Sequence, residues 1–166
     1  AIQSNHCRQT AAAAARYGFD CILVLSGEPP DEYSGNVFLD NLVGAELVWT
    51  TRENRDRTLQ ETFDRAMSTG RQPYLIPYGG SNPIGAAAYA FAIKELMDQQ
   101  EQPDWIVFAS SSGGTQAGMV VGARLSGFRG QILGISIDET SKTLSWRVAQ
   151  LASETAEILG AKIMIT

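Results

Sequence analysis

Short apolar runs that alternate with helical patterns along nearly the whole chain constrain the fold more than any other feature. Residues 21–25, 47–49, 74–76, 105–109, 132–137 and 163–165 read as strands. Most are almost continuously apolar, as strands covered on both faces are. Between them lie helical patterns at 5–17, 35–43, 54–69, 82–100, 114–127 and 141–159. A strand, a crossover helix and a second strand make a parallel pair. The expected fold class is therefore α/β, a three-layer αβα arrangement with a mainly parallel sheet and helices on both sides.

Local punctuation supports these boundaries. Leu59, Phe63, Ala66 and Met67 form one apolar stripe over 54–69, and Glu61 and Arg65 are spaced to pair on its outer face. Gly70, Gly127 and Gly160 each follow a helical pattern, where a left-handed residue ends a helix. Asn82 and Pro83 read as a cap and a first helical position. No internal repeat is present, and the polar run 98–104 is the candidate domain boundary or hinge.

Composition narrows the function. With 44% hydrophobic and 19% charged residues in 166, the chain has the makings of a packed core of ordinary domain size. A net charge of -5 argues against nucleic acid and anionic membrane as partners. No apolar run is long enough to span a bilayer, and the alanines at 11–15 lack the bulk and basic flank of a signal segment. Two cysteines, Cys7 and Cys21, make no disulfide framework and suit a reducing, cytoplasmic setting. The single histidine, His6, adjoins Cys7 in a spacing that suits no zinc site, so no metal is expected. The chain opens on Ala1 rather than Met, as a processed chain or a stretch from within a longer protein would.

The strongest chemical signal is the stretch 105–118, Trp-Ile-Val-Phe-Ala-Ser-Ser-Ser-Gly-Gly-Thr-Gln-Ala-Gly. A buried strand enters a Ser/Gly turn and then a helix, so free backbone N–H groups and small hydroxyls meet at a positive helix end. That suits a phosphate or another small anion; the plainer reading is a tight, serine-capped turn. It is neither a Walker loop nor a dinucleotide fingerprint, since no Gly-Lys-Ser/Thr follows and the glycines fall at 113, 114 and 118. A second signal is Gln3-Ser4-Asn5-His6-Cys7-Arg8-Gln9, where Ser4 can cap the following helix and the polar cluster can take a carboxylate or an electron-rich oxygen. Tyr78-Gly-Gly-Ser-Asn-Pro83 reads as a glycine turn that needs positive φ before a capped helix. Asp138-Glu139 after a strand is weaker still, with no fingerprint to support a ribose contact.

Three segments together resemble one family. Residues 1–10, residues 76–82 and the loop over 110–118 are similar, in the same order, to hallmarks of the pyridoxal-phosphate-dependent D-cysteine desulfhydrase and 1-aminocyclopropane-1-carboxylate (ACC) deaminase family of fold type II. The pair His6-Cys7 resembles the desulfhydrase branch more than the deaminase branch. The resemblance implies a pyridoxal 5'-phosphate cofactor and a small amino-acid substrate. By it, Asn5 contacts the phenolic oxygen of the pyridoxal ring, and Ser111, Ser112, Gly113, Gly114 and Thr115 bind the phosphate. Gln3, Ser4, Asn5 and His6 receive the substrate carboxylate, and Ser4 is the catalytic side chain nearest the proton transfer. Residues 1–100 resemble the family's small domain and 101–166 the first part of its large domain, as a central fragment.

Lys94, Lys142 and Lys162 are the chain's lysines, and none matches the family's Schiff-base lysine, which precedes the Gln-Ser-Asn segment. The expectation is a fragment of a lyase or deaminase, inactive by itself. The parent reaction is D-cysteine to pyruvate, ammonia and sulfide, or aminocyclopropane-carboxylate to 2-oxobutyrate and ammonia. The alternative is a non-catalytic α/β module that binds phosphate or another anion through 110–115; a nucleotide-binding domain is third. Apolar surface left on such a fragment favours association, so a homodimer is expected.

Overall fold

The computed structural model describes residues 2–99 and 101–161. Two compact units are present, Ala1–Leu75 and Ile76–Thr166. In the first unit the order is α1 (Asn5–Tyr17), β1 (Ile22–Ser26), α2 (Gly35–Leu42), β2 (Glu46–Thr50) and α3 (Arg55–Ser68). In the second it is a short 3-10 turn (Tyr78–Gly80), then α4 (Pro83–Asp98), β3 (Trp105–Ser110), α5 (Gly114–Ser126), β4 (Gln131–Ser136) and α6 (Ser141–Ile158). The α/β class and the parallel pairing are as expected.

The first unit starts from an alanine-rich helix with strong intrinsic propensity. Ser4 caps α1 by accepting the Cys7 N–H at 3.1 Å, and Gly18 ends it in the left-handed region. Ala11 from α1 is buried with Leu23 and Leu25 of β1 and with Ala45, and Cys7, Cys21, Val43, Leu47 and Trp49 pack around them. β1 and β2 are parallel, with Ile22 beside Glu46 and Ser26 beside Thr50.

Helix α3 is turned from the expected stripe. Thr62 and Ala66 are its buried residues, and Met67 is exposed. The threonine hydroxyls explain the rotation, since Thr58 Oγ1 lies 2.8 Å from Thr50 Oγ1 on β2. Nor do Glu61 and Arg65 pair. Glu61 meets Arg57 at 3.5 Å, and Arg65 reaches Glu46 of β2 at 3.3 Å. Exposed pairs of this kind are worth under about 1 kcal/mol, so a nearby competitor decides them.

Residues 74–76 are not a strand; 71–77 carry no regular structure. Pro73 and Pro77 flank the apolar triplet and remove two ladder donors, which explains the miss. The expected strand at 163–165 lies outside the described residues. The units part after Leu75, upstream of the polar run 98–104, because α4 belongs to the core of the second unit.

That core joins three helices: Ala86 and Ala90 of α4, Ala117 and Val121 of α5, and Leu144, Val148, Leu151, Ala152 and Ala156 of α6. Asn82 caps α4 through the Gly85 N–H at 2.8 Å, with Pro83 at its first position. Glycine at 118 and 122 lets α5 lie directly on α4; a Cβ on Gly118 would stand 1.9 Å from the Ala86 carbonyl oxygen. β3 and β4 are parallel, with Trp105 beside Gln131 and Ser110 beside Ser136. Here the sheet departs from the expectation of two covered faces. Ile106, Phe108 and Ile132 are at least partly buried, whereas Trp105, Val107, Leu133 and Ile135 on the other face are exposed. Among the described residues no helix is long and apolar enough to cross a membrane.

Candidate functional site

The expected residues fall into two clusters, one in each unit. In the first, the entry to α1 is held against the start of α2 by a hydrogen-bonded knot. Gln3 Oε1 accepts the Asn36 N–H at 2.7 Å, and Gln3 Nε2 donates to the Ser34 carbonyl at 3.1 Å. Asn36 Nδ2 donates to the Gln3 carbonyl and to Asn5 Oδ1, each at 3.1 Å. Gly35 makes the approach possible: its φ is 55°, and a Cβ there would stand 2.6 Å from Gln3 Oε1. Asn5 and His6 are exposed, and Ser4 is half-buried.

This geometry divides the tasks that the sequence assigned jointly to Gln3, Ser4, Asn5 and His6. The Gln3 side chain donates to the Ser34 carbonyl and accepts from the Asn36 N–H, so it also builds the loop. Ser4 Oγ accepts one N–H as a cap and keeps its own proton to donate. Both readings of Ser4, cap and functional hydroxyl, are therefore compatible.

Behind the loop, α2 buries Asp40 completely, and neither carboxylate oxygen has a hydrogen-bond partner among the described residues. Burial pushes its carboxyl above the usual range, and the Arg8 charge opposes that. The Cys21 thiol is raised chiefly by burial, with contributions from Cys7 and Asp40. Both cysteines are free thiols, and among the described residues no cluster of metal ligands occurs.

In the second unit, β3 delivers Ser110, Ser111 and Ser112 to the N-terminus of α5. Gly113 makes the turn with φ 90°, and the space where its Cβ would go is bounded by Val148 at 3.2 Å. The N–H groups of Thr115 and Gln116 in the first turn take no partner among the described residues. They point along a positive helix end, where anions bind.

The neighbours of this loop are the residues that sequence reasoning ranked low or did not mention. Ser81 Oγ accepts the Gly114 N–H at 3.1 Å and donates to Ser112 Oγ at 2.7 Å. A protein hydroxyl thus already stands where an anion oxygen would meet Gly114. Ser111 Oγ donates to Asp138 Oδ2 at 2.8 Å and lies 3.4 Å from the Tyr78 hydroxyl. Arg147 of α6 donates to the Ser111 carbonyl at 3.2 Å and to Glu139 at 2.9 Å. Tyr78–Gly80 is therefore more than a glycine turn, because it carries Ser81 onto the loop. Two separate signals in the sequence, Gly79-Gly80-Ser81 and Asp138-Glu139, mark these residues without revealing their partners.

A strand leading to a helix N-terminus with two N–H groups unpartnered among the described residues, lined by small hydroxyls in a parallel α/β unit, is an arrangement suited to a small anion. Comparison with known proteins narrows that reading. The model of the pyridoxal-phosphate-dependent enzyme family matches residues 1–162, and the chain belongs to that family. A Pyrococcus horikoshii protein provisionally assigned as a 1-aminocyclopropane-1-carboxylate deaminase is 35% identical over 169 residues, covering 99% of this chain and 51% of that protein. The 1-aminocyclopropane-1-carboxylate deaminase of Burkholderia ambifaria is 33% identical, over 95% of this chain and 51% of its own length. The crystal structure of an ACC deaminase homologue superposes with a TM-score of 0.87 at 34% identity, covering all of this chain and 52% of that one. The fold is thus that of the fold type II pyridoxal-phosphate enzymes, and the family's cofactor is pyridoxal 5'-phosphate. The chain spans about half the length of the relatives it matches.

Proposed function

We propose that this chain is the cofactor- and substrate-holding part of a pyridoxal-phosphate-dependent lyase or deaminase that acts on a small amino acid. The observation that carries the reading is the α5 N-terminus, with the unpaired N–H groups of Thr115 and Gln116 beside the hydroxyls of Ser112 and Thr115. Those groups fit a phosphate monoester: the loop offers backbone donors and small hydroxyls, and Gly113 and Gly114 keep it free of bulk. When bound, the cofactor supplies an electron sink for charge at the substrate α-carbon.

The chain's own residues divide the remaining work. Ser112, Gly113 and Thr115 would hold the phosphate, while Gly114, its N–H given to Ser81, keeps the turn free of bulk and Ser111, committed to Asp138, shapes the loop. Asn5 donates to the phenolic oxygen of the ring. Asn5, His6 and the backbone at the entry of α1 receive the substrate carboxylate at a positive helix end. Ser4 Oγ, oriented by the Cys7 N–H, holds or passes a proton near the α-carbon.

The preferred substrate reading is D-cysteine, giving pyruvate, ammonia and sulfide, supported by His6-Cys7. Ring opening of aminocyclopropane-carboxylate to 2-oxobutyrate and ammonia is the second reading, supported by the names of the relatives. The chain alone is inactive in this scheme. Lys94 is exposed on α4 and paired with Asp98, and Lys142 is exposed on α6, so neither is buried at a loop as an activated amine would be. Lys162 lies outside the described residues. The bare face of Trp105, Val107, Leu133 and Ile135 supports association, a homodimer included.

The test is to purify the full-length protein, record cofactor absorbance after dialysis, and assay both substrates for sulfide, pyruvate and 2-oxobutyrate. Retained cofactor with sulfide release is expected. A full-length protein that binds inorganic phosphate but retains no pyridoxal phosphate would overturn the reading in favour of a plain anion-binding module.

A further inference from the structure

Amide side chains have two ends, one that accepts and one that donates, and which end faces a ligand decides what the ligand is offered. We propose that Asn36 is a positioning residue that sets the polarity of Asn5, so that Asn5 presents its N–H groups, not its carbonyl, to the bound cofactor. The proposal rests on the reading above that Asn5 serves the ring oxygen.

The orientation follows from groups whose polarity cannot change. The Gln3 backbone carbonyl only accepts, so the Asn36 atom 3.1 Å from it must be the amide nitrogen. The same nitrogen lies 3.1 Å from the Asn5 side chain, so the Asn5 atom there must be its oxygen. Asn36 itself is anchored by its backbone N–H, which Gln3 Oε1 accepts at 2.7 Å. The Gln3 amide is fixed in turn by the Ser34 carbonyl, which accepts from Nε2 at 3.1 Å. The Gln3 and Asn36 amides are thus each fixed by a backbone group, and the orientation of Asn5 follows from that of Asn36.

What remains of Asn5 is its Nδ2, whose two N–H groups take no partner among the described residues at an exposed position. Two donors suit a phenolate oxygen or a carboxylate. An inverted Asn5 would set its nitrogen against the Asn36 nitrogen, donor against donor, and would offer a lone pair to a negative oxygen. Gly35 allows the knot to close at all, since any side chain there collides with Gln3. Asn36 touches neither ring nor substrate in this scheme; it acts only through Asn5.

The test uses the full-length protein loaded with pyridoxal phosphate, following the visible absorbance of the bound cofactor against pH. A donor to the phenolate oxygen favours the deprotonated chromophore. Its loss in Asn5→Ala is expected to raise the chromophore pKa by about one unit. Asn36→Asp keeps the shape and removes the donor, and it is expected to raise the pKa by a similar amount; Asn36→Ala should agree. A merely structural role for Asn36 would lower the melting temperature and leave this titration in place. If Asn5→Ala shifts the titration and neither Asn36 variant does, the Asn36 proposal is overturned while the cofactor reading stands. If Asn5→Ala itself does nothing, the assignment of Asn5 to the ring oxygen fails. The clamp is then judged without cofactor by NMR of side-chain amides. There the Asn36 NH2 is expected to exchange about tenfold more slowly than a free amide. Exchange at the free rate overturns the proposal by itself.

Discussion

Replacing Gly118 by alanine adds one methyl group where α5 lies directly on α4. The new Cβ would stand 1.9 Å from the Ala86 carbonyl oxygen and 2.8 Å from Tyr89 Cβ. Ordinary carbon contacts lie near 3.5–4.0 Å, so α4 and α5 must separate by more than about 1 Å. A gap of that size forfeits roughly a quarter to a half of each contact's attraction. The contacts affected are those of Ala86, Ala90, Ala117 and Val121, all nearly inaccessible to water. Overpacking a core costs about 1–3 kcal/mol. Here the obstacle is backbone and cannot swing away, so the upper end, about 3 kcal/mol, applies. Alanine returns about 1 kcal/mol through helix propensity. The net loss is about 2 kcal/mol, or a fall of about 8–16 °C in the melting temperature of a unit this size.

Circular-dichroism melts of the purified protein read this directly, with Arg124→Ala, exposed on the same helix, as a neutral control. A second consequence distinguishes local strain from general loosening. Separation of α4 from α5 pulls Ser81 away from the Gly114 N–H, now 3.1 Å apart, so phosphate binding should change along with stability. An unchanged or raised melting temperature would mean that propensity alone acts at this position, and the close approach of the two helices would be wrong.

Other outcomes follow from the same structure. Ser81→Ala leaves the Gly114 N–H without its acceptor, at about 1–3 kcal/mol. A bound phosphate can take that place, so saturating phosphate should raise the melting temperature more in Ser81→Ala than in the native protein; equal increments would refute it. Asp40 has its folded pKa raised above the unfolded value, so the stability linked to its protonated form is complete below the unfolded pKa and is lost as pH rises through the folded one. Asp40→Asn should therefore raise the melting temperature at pH 8 and make little difference in acid; a loss at pH 8 would show that the carboxylate has a partner. The 166-residue chain given pyridoxal phosphate and D-cysteine should release sulfide no faster than free cofactor does. Faster release, with a cofactor band that survives dialysis, would make one of its lysines the reactive amine.

What the sequence made legible, and what it hid, divides along the range of the interactions. The helix over 5–17 and the Asn82-Pro83 cap rest on neighbours in the chain, and they stand where local propensity and capping put them. Residues 74–76 have the composition of a strand, but a strand also needs ladder donors, and the two flanking prolines withhold them. The apolar stripe of α3 differs from the expected one by a fraction of a turn, because a threonine pair between α3 and β2 competes with hydrophobic pattern for the same face. The strand-to-helix turn over 110–115 was recognisable because adjacent serines and glycines make it. Its controls were not recognisable: Ser81 stands 33 residues before Gly114, and Arg147 stands 36 after Ser111. The same holds for Asn36, 31 positions from Asn5. No periodicity or composition joins such positions, and an amide's polarity is invisible until a backbone group of fixed polarity is found beside it. The residues proposed to hold the ligand can thus be read locally, whereas their hydrogen-bond partners are set by the fold. That is why Asn36, with no chemistry of its own to announce it, is the residue whose substitution tests most about this site.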